Sequence, residues 1–162
     1  MEFRLHHATE RELPIILSLI KELAEYEKLG HAVVATEKIL RESLFERRAA
    51  EVVIAYAGDE PAGFAVYYRT FSTFLGVPGM YLEDLFVIPR FRRQGLGRQL
   101  LVHLARIADE RGYGRIEWSV LDWNELAIGF YKAIGAKPMD EWTVFRLTGG
   151  SIQALAQRAH RP

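Results

Sequence analysis

The chain has 162 residues, with 21 Lys and Arg against 21 Asp and Glu and no cysteine. That length suits one domain with a sizeable core, and zero net charge argues against a protein whose main business is coating nucleic acid or an acidic membrane. Disulfides, thiolate metal sites and a cysteine nucleophile are excluded together. Apolar residues make up 49% and charged residues 26%, the balance of a folded globular chain. No apolar run approaches the roughly 20 residues that span a bilayer. Met1 to His7 lacks the apolar stretch of a secretory signal, so a cytoplasmic protein is expected.

No Gly/Ser linker, repeat or low-complexity block interrupts the sequence. A single domain over 1–162 is therefore expected, with 150–162 as its tail. Residues 3–7 read as a first strand. Thr9 and Glu12 have capping-box spacing, and Ile16, Leu19, Ile20 and Leu23 follow with a helical period, predicting a helix to about Leu29. Thr36 is placed to cap a second amphipathic helix carrying Ile39, Leu40 and Leu44. Val52 to Ala57 reads as a strand, Gly58-Asp59 as its turn, and Ala62 to about Thr70 as the antiparallel return. Met80 to Ile88 is a further strand, stopped by Pro89. Leu96, Leu100, Leu104 and Ala108 form the apolar row of a helix ending near Gly112. Arg115 to Leu121 reads as a strand and Asn124 as the cap of a helix to about Ile134. Trp142 to Leu147 reads as a last strand, and Ser151 to Arg158 as a short terminal helix. This order predicts an α/β architecture, a mixed central sheet flanked by helices.

The segment between the Met80–Ile88 strand and the next helix is Arg90-Phe91-Arg92-Arg93-Gln94-Gly95-Leu96-Gly97-Arg98. Glycines there let backbone amides approach a ligand closely, and a helix N-terminus favours an anion. Four arginines in nine residues strengthen the case for phosphate. The glycines alone would fit an ordinary basic turn equally well; the strand before and the helix after favour a ligand. The nucleoside-triphosphate loop and the dinucleotide fingerprint are both absent, since no Gly-Lys-Ser/Thr follows and Leu100 stands where a third glycine belongs.

Arg92-x-x-Gly95-x-Gly97 in this setting resembles the acyl-CoA pyrophosphate loop of the GNAT N-acetyltransferase superfamily. Tyr81-Leu82-Glu83-Asp84 before it extends the likeness, as do Asp122-Trp123-Asn124-Glu125, Phe130-Tyr131-Lys132 and Gly135-Ala136 after it. With Glu22 to Glu27 in the first helix, the pattern over residues 3–147 is similar to the spermidine/spermine (diamine) acetyltransferase family. The resemblance implies a GNAT acyl-CoA N-acyltransferase fold with acetyl-CoA as acetyl donor and no metal. It implies that Leu85, Phe86 and Val87 run beside the pantetheine arm. Arg92, Arg93, Gln94, Gly95, Leu96, Gly97 and Arg98 would cradle the pyrophosphate. Asn124, Glu125, Leu126, Ala127 and Tyr131 would contact the rest of the cofactor. It further implies Tyr131 as general acid, Glu83 as general base, and Tyr26 and Glu27 as acceptor contacts. A cytoplasmic homodimer acting on a small-molecule primary amine, with no nucleic acid or membrane partner, is the family's habit.

The chemistry suits these residue types. An alkylammonium, with a pKa near 10, must lose a proton before it attacks, and a carboxylate in the acceptor cleft attracts the cation and takes that proton. A backbone amide near Phe86 is the candidate donor for the charge that develops on the carbonyl oxygen. A thiolate leaving group, of pKa about 8.5, is helped by an acid such as Tyr131. Each residue also has a plain packing role to set beside this: Tyr131 against Phe130, Glu83 with an arginine partner, Glu25 and Glu27 on a solvated helix face. The five histidines show no ligand spacing, and Ser72 and Ser119 lack a nucleophile-elbow setting.

Polyamine enzymes of the resembled family typically carry Asp-Pro-Trp where this chain has Ser72-Thr73-Phe74. Losing that carboxylate removes an attraction for a second, distant ammonium. Ser72 and Thr73, together with Leu121 before Asp122-Trp123-Asn124, resemble instead the branch that acetylates thialysine, the S-aminoethyl analogue of lysine, with short diamines as poorer substrates held by Glu27, Asp84 and Asp140. Two alternatives stay open: a polyamine acetyltransferase, and a non-catalytic acyl-CoA-binding regulator.

Overall fold

The amide and hydroxyl of Thr9 both donate to the Glu12 carboxylate, at 2.6 and 2.8 Å, so the capping box forms as its spacing predicts. In this computed structural model, which describes residues 1–158, the first helix then runs as α1 over Leu13–Tyr26. It buries Leu13, Ile16, Leu19 and Leu23. It stops earlier than its periodicity predicts. The Leu29 amide donates to Ala24 and the Lys28 amide to Glu25, with Lys28 left-handed at φ 62°. These paired bonds satisfy the helix's last carbonyls and end it.

Thr36 caps α2, Glu37–Leu40, by accepting the Ile39 amide at 3.2 Å. Beyond Leu40 the chain widens into a π-turn, Arg41–Glu46, where the predicted helix would have continued. That change of pitch alters which side chains face inward. Leu40, Leu44 and Phe45 pack on the core while Ile39 stays 48% exposed, contrary to the predicted face.

Residues 1–119 form one compact unit around a sheet in the order β1 (Arg4–His7), β2 (Glu51–Ala57), β3 (Glu60–Ser72), β4 (Val77–Val87) and β5 (Ile116–Trp118). The first four strands pair antiparallel and β4 pairs parallel with β5, so the predicted mixed sheet is present. The parallel pair is joined through α3, Leu96–Glu110, whose Leu96, Leu100, Leu104, Ile107 and Ala108 are buried as the apolar row predicts. Val53, Ile54, Phe64, Ala65 and Met80 from the sheet complete the core. β5 is shorter than predicted. Its ladder with β4 covers only Met80 to Leu82, opposite Ile116 to Trp118.

The second unit begins at Val120. Asn124 caps α4, Glu125–Ala133, by accepting the Ala127 amide at 3.3 Å, and Gly135 at φ 93° follows its end. Residues 142–147 form no strand, against expectation. Their apolar pattern is right, but a strand exists only with a neighbour to share its hydrogen bonds. The tail is helical over α5, Gly150–Ala156, and residues 159–162, including His160, lie outside the described residues.

Gly63 ties the core to the edge of β4. A side chain there would place its Cβ 2.5 Å from the Phe86 carbonyl oxygen and 3.2 Å from Val87 Cα, both backbone atoms that cannot rotate away. Gly63→Ala is therefore expected to destabilise the fold by about 1–3 kcal/mol. Urea unfolding reads the shift, and an unchanged midpoint would remove this close approach as a constraint.

Candidate active site

The segment leading into α3 is built to receive an anion. Arg93 at φ 62° and Gly95 at φ 81° turn the chain sharply, and Gly95 is the N-cap. The first helical bond is Gln99 amide to Gly95 carbonyl, which leaves the Leu96, Gly97 and Arg98 amides without intrahelical partners. No side chain caps them and no acidic residue occupies the first turn. Three free N–H groups and the positive helix end thus point into one place. Gly97 is informative because the fold does not demand it. A Cβ there would meet only Leu85 and Val87 methyls at 3.9 and 4.0 Å, ordinary contacts, so the missing side chain leaves room for something else.

The four arginines divide. Arg90 pairs with Glu60 and lies over the Phe91 ring. Arg92 donates its Nε to the Val87 carbonyl at 2.9 Å and lies 4.3 Å over Tyr26 and 5.5 Å over Phe86. Both hold the protein's own parts. Arg93 and Arg98 remain exposed, with no ion pair among the described residues. Arg92, expected at the pyrophosphate, thus has its Nε engaged at the end of β4.

On β4 itself the register slips. Val66 pairs with Asp84 but Tyr67 pairs with Leu82, so Glu83 is an extra residue, a β-bulge. The ladder to β5 ends at Leu82, one residue before it. Beyond the bulge, residues 83–87 have a strand on one side only, among the described residues. The Ile88 amide donates to Ala62, which makes Phe86 and Asp84 the residues bonded to β3. By antiparallel alternation the polar backbone groups of Leu85 and Val87 face the open edge. The donor amides expected near Phe86 are therefore its two neighbours.

The bulge also redistributes the carboxylates. Glu83, the general base that the resemblance implies, is exposed, and its neighbour Asp84 is the one drawn inward. Burial, reinforced by the charges of Glu83 and Glu27, pushes the Asp84 carboxyl up to about 6. Burial also raises Glu27, which sits at the C-cap of α1 where the helix stop holds it. None of the three has a cationic partner within ion-pair distance among the described residues. An unbalanced acidic centre is a place for a cation. Tyr68, stacked on Tyr81 at 5.3 Å, is raised by its burial and by Glu83, and Tyr81 shares a 2.6 Å hydrogen bond with Ser119.

Beside this centre a groove of about 520 Å³ runs between α1 and the end of β4, with Tyr26, Phe86 and Pro89 as apolar wall and Lys21 and Glu22 among its polar lining. Tyr26 packs on Phe86 at 6.2 Å. Ser72 and Thr73 stand elsewhere. Ser72 opposes Val77 at the β3–β4 turn, six residues from Glu83 and so about 20 Å along the strand. Its hydroxyl accepts the Leu75 amide at 3.1 Å and the residue is 4% exposed. It holds the turn and is not open to a ligand in this chain. In the second unit, α4 carries Tyr131, whose ring lies 5.8 Å from Phe130, and its first turn holds Glu125, Leu126 and Ala127. Leu121 precedes that helix and is partly exposed. Among the described residues no three His, Asp or Glu side chains group to hold a metal ion, and no helix is long and apolar enough to cross a membrane.

An open strand edge beside a helix start stripped of caps and acids is the frame of GNAT acyl transfer, and the chain belongs to the Acetyltransferase (GNAT) family, matched over residues 16–136. It is 40% identical to a thialysine N-epsilon-acetyltransferase from Caenorhabditis elegans, over 87% of this chain and 89% of that one. It is 31% identical to an L-ornithine N5-acetyltransferase from Arabidopsis thaliana, over 94% and 87%. Among solved structures, an integron cassette protein from the V. cholerae mobile metagenome superposes with a TM-score of 0.82 at 30% identity, covering 98% of this chain and 99% of that one.

Asp84 gives the site a pH signature. Its folded pKa, about 6, lies above the ordinary 3.8, so its contribution to stability is fully present below about pH 4 and is lost as pH rises through 6. Asp84→Asn is therefore expected to stabilise the protein at pH 8 by roughly 1–3 kcal/mol, discounted for partial exposure, with no gain at pH 4. Thermal unfolding at the two pH values measures it; an equal effect at both would remove the charge from the explanation.

Proposed function

We propose that this protein transfers the acetyl group of acetyl-CoA to the terminal primary amine of a small amino acid, thialysine or a close relative. The observation that carries the acceptor class is the uncompensated acidic centre of Glu27, Glu83 and Asp84 beside the open edge of β4. The two relatives named for an acceptor support the choice, because thialysine and ornithine are both α-amino acids ending in a primary amine.

The residues present fit acetyl-CoA, which when bound supplies a thioester carbonyl for attack. The Leu96, Gly97 and Arg98 amides, with Arg93 and Arg98, would hold its pyrophosphate. The open-edge groups of Leu85 and Val87 would bond its amide-containing arm, and one of those amides would donate to the oxygen that gains charge. Glu83 would take the ammonium proton, directly or through a water, with Asp84, raised to about 6, and Glu27 holding the cation. Glu83 remains the base that the family resemblance implies. Tyr131 would return a proton to the leaving thiolate, and Asn124 to Ala127 would contact the far part of the cofactor. Lys21 and Glu22 in the α1 groove offer opposite charges for an amino acid's own carboxylate and ammonium.

The same reading takes residues 1–162 as one acetyltransferase domain, working as a cytoplasmic homodimer on a small amine without nucleic acid, membrane or metal. Kinetics at fixed acetyl-CoA are expected to give thialysine a higher kcat/KM than spermidine; a clear preference for spermidine would transfer the assignment to the polyamine branch. Coenzyme A binding with no turnover of any amine would indicate a regulator. Tyr131→Phe is expected to lower kcat about 100- to 10,000-fold with acetyl-CoA binding retained. Turnover within a factor of two of the parent would reduce Tyr131 to packing.

A further inference from the structure

A second cavity, of about 350 Å³, lies among the start of β2, the middle of β3 and the chain just after α3. Its lining includes Arg48, Glu51, Tyr67, Arg69, Arg111 and Tyr113. None of these belongs to the acetyl-transfer site. Glu51 is fully engaged: Arg111 donates to both its carboxylate oxygens, at 2.7 and 2.9 Å. Arg48 and Arg69 have no acidic partner among the described residues. Two guanidinium charges therefore remain unbalanced around one opening.

Tyr67 supplies the second observation. The residue is 1% exposed, and its hydroxyl is buried with no hydrogen-bond partner among the described residues, although it lines this cavity. A buried hydroxyl left unpaired is costly and calls for a partner. Burial pushes its pKa up to about 12, so it stays a donor at any physiological pH. Arg48 is held at φ 52°, a left-handed conformation unfavourable for a side-chain-bearing residue.

We propose that this cavity is a binding site for a dianionic phosphate group, free or carried on a small metabolite, held by Arg48, Arg69 and the Tyr67 hydroxyl. Planar guanidinium forks match phosphate oxygens in pairs, and the Tyr67 hydroxyl adds a neutral donor. The Glu51–Arg111 pair closes one wall and adds no free charge.

The test uses full-length protein labelled with ¹³C-tyrosine, the Tyr67 ring signal being assigned by its loss in Tyr67→Phe. Titration with inorganic phosphate at constant ionic strength is expected to move that signal saturably in the millimolar range or below. The pair of changes Arg48→Gln and Arg69→Gln, checked for an unaltered unfolding midpoint, should weaken the binding by at least about tenfold. Parallel titration with a sugar phosphate separates the sources: tighter binding assigns a metabolite, and equal or weaker binding assigns the free ion. A Tyr67 signal that does not respond to phosphate, as when water alone satisfies the hydroxyl, overturns the proposal. So does an unchanged affinity in the double variant.

Discussion

The single extra residue in β4 is the constraint on which the site depends. With Glu83 outside the ladder, pairing with β5 stops at Leu82 and the strand continues with one edge unpaired. Unpaired backbone inside a fold is costly unless something meets it. One such group, the Val87 carbonyl, is met by Arg92. The others stand where an extended, amide-bearing ligand would complete the sheet. The bulge thus leaves an edge of β4 open and changes which of the neighbouring acids is drawn inward.

Around that edge the protein's charges sort by role. Arg90 and Arg92 act inward, pairing with Glu60 and bracing Val87, Tyr26 and Phe86. Arg93 and Arg98 stay outside with the capless start of α3. The acids gather on the other side, at the end of α1 and just past the bulge. On the proposed reading, the first would face phosphate and the second an ammonium.

The stop of α1 shows how local bonds serve this arrangement. Two backbone bonds and the left-handed Lys28 end the helix at Tyr26, so Glu27 leaves the helix where its charge acts on Asp84. The cost of a left-handed lysine, of order 1 kcal/mol, is small against the value of holding a carboxylate in place.

Some of this was legible in the sequence because it is local. The capping box, the apolar row of α3, the β2–β3 hairpin and the glycine loop each follow from spacings within about a dozen residues, and each formed. The motifs around the loop carried the family as well. Other features depend on a neighbour that the local pattern does not name. Which of Glu83 and Asp84 turns inward depends on a bulge, and a bulge is a mismatch between two strands. Ser72 reads as a free hydroxyl until the turn amide of Leu75 takes it. Residues 142–147 have a strand's alternation without a strand's partner. Residue types and their order determined the fold class, the glycine loop and the set of acids; only the pairing of distant segments decided which acid is buried, which arginine braces β4, and where backbone stays open, because burial and open edges depend on neighbours far away in the chain.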